Sequence, residues 1–145
     1  MYLDSCILVK LFVAEPDSDF FIEALDGKPL VTSELAYPEV YSALLARERG
    51  GTISTSDRRR AWAEFERRVE VGEIRVESLT SLTLRRAMRS LEQCHPRVPL
   101  RTLDALHLAA ADLCQEFPLT TTDRRLRDAA TLLGIELYPP LSNDH

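Results

Sequence analysis

The chain opens Met1-Tyr2-Leu3-Asp4-Ser5-Cys6-Ile7-Leu8-Val9-Lys10-Leu11-Phe12-Val13. Met1 to Leu3 reads as a short strand that ends at an acid, Asp4. Ser5 to Val13 follows with Ile7, Leu8, Leu11 and Phe12 at helical spacing. A strand thus runs into a helix with a carboxylate at the junction. The rest of the chain repeats the strand-then-helix alternation.

Ala14-Glu15-Pro16-Asp17 breaks the first helix and starts a second, whose apolar face is Phe20, Phe21, Ala24 and Leu25 and whose stop is Gly27. Leu30-Val31-Thr32 is short and β-prone. Ser33 is placed to cap a long helix reaching Arg49, with Pro38 expected to kink it or restart it just before Glu39, because proline removes a backbone donor and crowds the preceding turn. Gly50-Gly51 ends that helix. Ser56 is placed to cap the next, with Ala61, Trp62, Phe65 and Val69 on one face. Ile74-Arg75-Val76 alternates as a strand.

Leu82 to Cys94 is helical, and His95-Pro96-Arg97-Val98-Pro99 is a loop. Thr102 is placed to cap a helix with a buried stripe of Leu103, Leu106, Ala110 and Leu113. Phe117 to Thr121 reads as a strand, Thr122 to Leu133 as a helix and Ile135-Glu136-Leu137 as a last strand, with a frayed tail from Pro139. This order predicts an α/β sandwich with a central, mostly parallel sheet flanked by helices. One domain, residues 1–138, and a short tail, residues 139–145, account for the whole chain.

Composition agrees with a globular domain, at 45% hydrophobic and 28% charged residues. Asp4 and Lys10 interrupt the apolar N-terminus, which lacks the basic start and cleavage site of a signal peptide, and no segment is long enough to span a membrane. Three cysteines without framework spacing, Cys6, Cys94 and Cys114, suggest a reduced, cytoplasmic protein. The net charge of −5 argues against a general nucleic-acid binder. Against that, the positive charge is almost all arginine, only Lys10 and Lys28 being lysine, and arginine's planar fork suits phosphate. Most arginines are expected to solvate helix faces or pair with acids. Arg101, Arg124 and Arg125 flank candidate site acids and are the ones placed to meet a phosphate.

Four acids stand where a parallel sheet would gather them: Asp4, Glu39, Asp104 and Asp123. In open α/β sheets, ligands bind outside the carboxyl ends of the strands. Asp4 ends the first strand, Asp123 follows the strand ending near Thr121, Asp104 opens a helix, and Glu39 lies about two helical turns beyond Thr32. Each also has a structural reading, since Asp4, Asp104 and Asp123 suit helix starts and Glu39 suits an arginine partner. Together they describe a site for a hard divalent cation such as Mg²⁺ or Mn²⁺. Such a site serves phosphodiester hydrolysis, which needs an activated water and shielding of the phosphate charge.

At these residues the chain resembles the PIN-domain ribonucleases, specifically the VapC-like toxins of toxin–antitoxin pairs. Tyr2-Leu3-Asp4-Ser5 is similar to the opening acidic motif, and Thr32 to Val40 to the second, with Glu39 as the matching acid and Glu34 outside it. Leu100-Arg101-Thr102-Leu103-Asp104-Ala105-Leu106-His107-Leu108-Ala109 is the most specific stretch, and Leu119 to Leu126 resembles the fourth motif. The resemblance runs to Tyr138. It implies a Mg²⁺- or Mn²⁺-dependent endoribonuclease in which Asp4, Glu39, Asp104 and Asp123 hold the metal directly or through water. It also implies an RNA substrate, a homodimer and a cognate antitoxin. The very short first strand and Pro38 beside Glu39 depart from the pattern.

Secondary candidates have plainer explanations. Ser5 and Thr122 either orient a carboxylate or cap a helix. His107, one turn after Asp104, is a metal ligand or a hydrogen-bonded structural histidine, and the second fits better. Asp128 either joins the site or serves a salt bridge or solvent, and the second fits better, while Trp62 and Phe65 read as helix packing rather than base stacking. An aspartate-nucleophile phosphatase would need an acid where Cys6 stands, and a cysteine phosphatase an arginine where Phe12, Leu100 or Thr120 stands. A receiver domain would need a mid-chain aspartate at a strand end. A binding module that keeps the fold without activity is the remaining alternative.

Overall fold

A computed structural model describes residues 1–142; residues 143–145, part of the expected tail, lie outside the described ones. The strands are β1 (Tyr2–Leu3), β2 (Leu30–Ser33), β3 (Ile74–Glu77), β4 (Leu119–Thr120) and β5 (Leu137–Tyr138). The helices are α1 (Ser5–Phe12), α2 (Ser18–Leu25), α3 (Ala36–Arg49), α4 (Thr55–Glu70), α5 (Ser81–Cys94), α6 (Thr102–Cys114) and α7 (Arg124–Leu132). The strands form one sheet in the order β3-β2-β1-β4-β5, and every pairing is parallel. The expected α/β sandwich is present, with a sheet more uniformly parallel than predicted.

Parallel sheets need both faces covered. In β1, consecutive residues serve opposite faces, as the two-residue strand period requires. Leu3 packs with Ile7, Leu8, Phe21, Val40, Leu44 and Phe65 of α1 to α4. Tyr2 packs on the other side with Leu108 and Ala111 of α6 and Leu126 and Ala129 of α7. Both β1 residues are fully buried at the centre of the sheet.

A two-residue strand is held there by bonds on both sides. Tyr2 N–H donates to the Pro118 carbonyl at 3.1 Å and Asp4 N–H to the Thr120 carbonyl at 3.1 Å. Val31 N–H donates to the Met1 carbonyl at 2.9 Å. The Thr32 hydroxyl donates to the Leu3 carbonyl and the N-terminal ammonium to the Pro29 carbonyl, both at 2.9 Å. The shortness of the strand is thus offset by side-chain and terminal donors.

Pro38 neither kinks nor restarts its helix. Ser33 stays in β2, and α3 begins at Ala36, so Pro38 falls in the first turn. Backbone N–H groups there have no intrahelical partner, so proline loses nothing. The first regular bond runs from Glu39 N–H to the Leu35 carbonyl. Glu39 consequently sits in the first turn of α3 rather than two turns into a helix.

Other boundaries shift by small amounts. Ser54, not Ser56, caps α4, in a reciprocal box with Asp57. Thr102 is the first helical residue of α6 rather than its cap, and Asp123 caps α7 from just outside it. Leu103 is exposed, not part of the buried stripe, which runs through Ala105 to Ala111. Phe65 is core and Trp62 packs against Tyr37, Tyr41 and Phe65, as their spacing predicted. Arg127 donates to the carbonyls of Thr121 and Pro139 and so ties the start of the expected tail to the end of β4.

Candidate active site

Every helix that follows a strand directly in this fold begins at the carboxyl edge of the sheet. Asp4 is the N-cap position of α1, Glu39 and Asp104 lie in the first turns of α3 and α6, and Asp123 is the N-cap of α7. Helix N-termini carry partial positive charge and favour carboxylates. Asp123 spends an oxygen on capping: its Oδ1 accepts from Leu126 N–H at 2.9 Å. Asp4 makes no side-chain cap, so its carboxylate is free for other partners.

Asp4 is fixed from three sides. Its Oδ2 accepts from the Thr121 hydroxyl at 2.8 Å and from the Cys6 thiol at 3.1 Å. Its Oδ1 lies 3.6 Å from His107 Nε2. Burial first, then the neighbouring Asp4 charge, pushes the Cys6 thiol up to about 12, so it remains a protonated donor.

Asp4, Asp104 and Asp123 share one neighbourhood. The Asp104 carboxyl is pushed above the usual range, first by burial and then by the negative charges of Asp123 and Asp4. Glu39 behaves in the opposite way. Burial alone would raise it, but hydrogen bonds from His107 and Ser5 hold it below the usual carboxylate range. His107 Nε2 lies 2.5 Å from Glu39 Oε1, and the Ser5 hydroxyl donates to the same oxygen at 2.9 Å.

The donor chemistry fits a hard divalent cation. Burial and mutual repulsion leave Asp104 with a need for positive charge that no side-chain cation among its neighbours fully meets. Among the described residues, no group of three His, Cys, Asp or Glu side chains is arranged to hold a metal ion as it stands. A Mg²⁺-type ion does not require one, because it keeps several waters and uses one or two carboxylates.

The arginines divide as expected. Arg47, Arg58, Arg67, Arg68, Arg75 and Arg86 pair with acids. Among the described residues Arg101, Arg124 and Arg125 make no ion pair, and Arg101 and Arg124 are exposed beside Asp104 and Asp123. Asp128 is exposed and stands apart from these contacts. Glu34 accepts from Leu79 N–H and lies outside the site, as its place in the motif implied.

His107 is buried and hydrogen-bonded, but to site residues, so it is not merely structural packing. Ser5 orients a carboxylate rather than capping a helix. Thr122 reaches only the Cys6 sulfur, at 3.6 Å. Thr121, Tyr2 and Cys6 escaped sequence reasoning. A hydroxyl on the residue just past a strand end, beside a strand that ends in an acid, is the signal that would have found Thr121.

A cavity of about 730 Å³ lies between α1 and α4 and is lined by none of the four acids. A cleft of about 410 Å³ beside the site is lined by Ser5, Cys6, Lys10, Glu39 and Arg47.

Comparison with known proteins shows the family. The family profile described as PIN domain matches residues 1–132. Ribonuclease VapC46 of Mycobacterium tuberculosis is 38% identical over 148 residues, covering 97% of each chain. Ribonuclease VapC49 of the same organism is 31% identical, covering 96% of this chain and 94% of that one. Among solved structures, a toxin–antitoxin complex from Klebsiella pneumoniae contains a chain of similar fold. Its TM-score is 0.55 at 16% identity, over 84% of this chain and 85% of that one.

Proposed function

The chain belongs to the PIN-domain family, among its VapC ribonucleases, and from that premise we propose that it is a Mg²⁺- or Mn²⁺-dependent endoribonuclease, the toxin of a toxin–antitoxin pair. The observation that carries this reading is the gathering of Asp4, Asp104 and Asp123, close enough for the first and last to raise the Asp104 carboxyl. Asp4, Glu39, Asp104 and Asp123 would hold the cation, directly or through water. When bound, such an ion shields the phosphate and activates the attacking water.

The chain's own residues set the geometry. Thr121 and Cys6 hold Asp4 Oδ2, while Ser5 and His107 hold Glu39 Oε1. Oriented carboxylates of this kind, Asp4 buried and Glu39 partly so, lose little freedom when a ligand arrives. Arg101, Arg124 and Arg125 stand at the rim, where a guanidinium can meet backbone phosphates of RNA. An RNA substrate, a cognate antitoxin, a homodimer and a cytoplasmic location belong to the same reading. Among the described residues no helix is long and apolar enough to cross a membrane.

The test is cleavage of a structured RNA panel by purified protein with Mn²⁺ or excess EDTA, beside Asp104→Asn purified in the same way. Metal-dependent cutting that the variant lacks is the expected result. Equal cutting by both proteins, or full activity in EDTA, overturns the reading. RNA binding without cutting would favour the inactive binding module instead.

A further inference from the structure

His107 joins the two halves of the site, and its ring atoms have separate partners. Nδ1 lies 2.8 Å from the Tyr2 hydroxyl, and Nε2 lies 2.5 Å from Glu39 Oε1 and 3.3 Å from the Ser5 hydroxyl. All of this takes place in the interior: Tyr2 is fully buried and His107 is 1% exposed.

The direction of these bonds follows from the donor inventory. A carboxylate accepts only, so a 2.5 Å contact requires a hydrogen on His107 Nε2. In the neutral ring this leaves Nδ1 as an acceptor for the Tyr2 O–H. In the protonated ring Nε2 still carries its hydrogen. In either state Nε2 is engaged in its bond to Glu39 rather than offering a lone pair toward Asp4.

Glu39 receives two donors on the same atom. His107 and Ser5 both occupy Oε1, and among the described residues Oε2 has no hydrogen-bond partner. A carboxylate held by one oxygen presents the other in a fixed direction.

We propose that Tyr2 and His107 are positioning residues for Glu39: the Tyr2 hydroxyl, donating to Nδ1, supports the Nε2–H form of His107 that Glu39 demands, His107 fixes Glu39 through Oε1, and Glu39 Oε2 is thereby aimed at the site. Histidine and hydroxyl partners behind a functional carboxylate typically matter by about 10–100-fold in metal affinity or activity. This rests on the nuclease reading for its consequence but not for its geometry. It also explains why a tyrosine stands in the first strand with its polar end buried.

The test uses the full-length protein, with Tyr2→Phe, His107→Gln, His107→Ala and Glu39→Gln checked by thermal melting. The first readout needs no metal and no RNA. Nitrogen-15 NMR of the metal-free protein should show a protonated Nε2 with a downfield N–H resonance that moves upfield in Glu39→Gln and loses its fixed tautomer in Tyr2→Phe. The second readout is Mn²⁺ affinity by calorimetry together with kcat and KM. His107→Ala should lose about 10–100-fold in Mn²⁺ affinity or kcat with KM little changed. His107→Gln, whose amide can still donate to Glu39, should recover part of the loss, and Tyr2→Phe should lose about 3- to 10-fold.

If His107→Ala does not fold, Tyr2→Phe, which removes only a hydroxyl, carries the test. An unprotonated Nε2 in the wild type overturns the inference. So do folded Tyr2→Phe and His107→Gln variants with wild-type Mn²⁺ affinity and kcat. Failure of the nuclease reading looks different: the wild type does not cut RNA, while the ring signature and its dependence on Tyr2 and Glu39 persist and uphold the positioning.

Discussion

The Thr121 hydroxyl donates to Asp4 Oδ2 across 2.8 Å, bridging the end of β4 to the end of β1. The same hydroxyl oxygen accepts from the Asp123 N–H at 3.1 Å. One side chain thus orients one site acid and the backbone of another. Thr121→Val keeps the shape and β-branching but removes both bonds. It should weaken Mn²⁺ binding and RNA cleavage by about tenfold, while Thr121→Ser stays near wild type. Calorimetry with Mn²⁺ decides: unchanged affinity in a folded Thr121→Val protein would mean that Asp4 needs no such support.

Asp104 should show the opposite demands of stability and function. Burial, Asp123 and Asp4 raise its carboxyl in the folded chain. A raised acid binds its proton more readily when folded than when unfolded. Its ionised form at neutral pH therefore opposes folding. Asp104→Asn should raise the melting temperature of the metal-free protein by about 1–3 °C and abolish cleavage. Excess Mn²⁺ should stabilise the wild type more than the variant, because only the wild type binds it well. A lower melting temperature for metal-free Asp104→Asn would contradict the repulsion argument.

Much of this was legible in the chain because it is local. A strand ending at Asp4, a helix opening near Asp104 and the place of Asp123 at a helix start all follow from periodicity and capping chemistry. What was not legible is what depends on register between distant segments. Pro38 seemed to break a helix only because Ser33 looked like its cap; in fact Ser33 is held in β2, paired with Glu77 of β3. Tyr2 and His107 are 105 positions apart, and nothing in either neighbourhood announces their hydrogen bond. Thr121 was hidden in a run of threonines whose members face different ways. Leu103 belongs to an apolar pattern, yet its place in the first turn of α6 leaves it exposed.

Thr120 offers a test of the core beside the site. Its hydroxyl is fully buried on β4 and, among the described residues, has no hydrogen-bond partner. A buried hydroxyl without a partner costs about 1–3 kcal/mol. Thr120→Val keeps the shape and replaces the hydroxyl with a methyl group, between Leu3 and Tyr138 of the neighbouring strands. The variant should be more stable by about 1 kcal/mol in urea unfolding, with an unchanged denaturant slope. Destabilisation would show that the hydroxyl is satisfied in solution.

Glu15 should govern part of the acid sensitivity of the fold. It joins α1 to α3 by accepting from Lys10 at 2.9 Å and from Arg47. Burial alone would raise its carboxyl, but the bonds from Lys10 and Arg47 outweigh that and hold it below its ordinary value of 4.5. A depressed folded value means that the folded state favours the ionised form. The stabilisation is therefore complete above the ordinary value and is lost as pH falls through the folded one. For a half-buried pair of this kind it amounts to about 1 kcal/mol. Glu15→Gln should melt about 2–4 °C below wild type at pH 7. Because Lys10 also pairs with Asp17 at 2.9 Å, the variant keeps one partner for that lysine. The gap should close as pH falls below the carboxylate range, because wild-type Glu15 is then neutral too. Melting curves between neutral and strongly acidic pH test this directly, and a gap of constant size would mean that Glu15 acts through packing rather than charge.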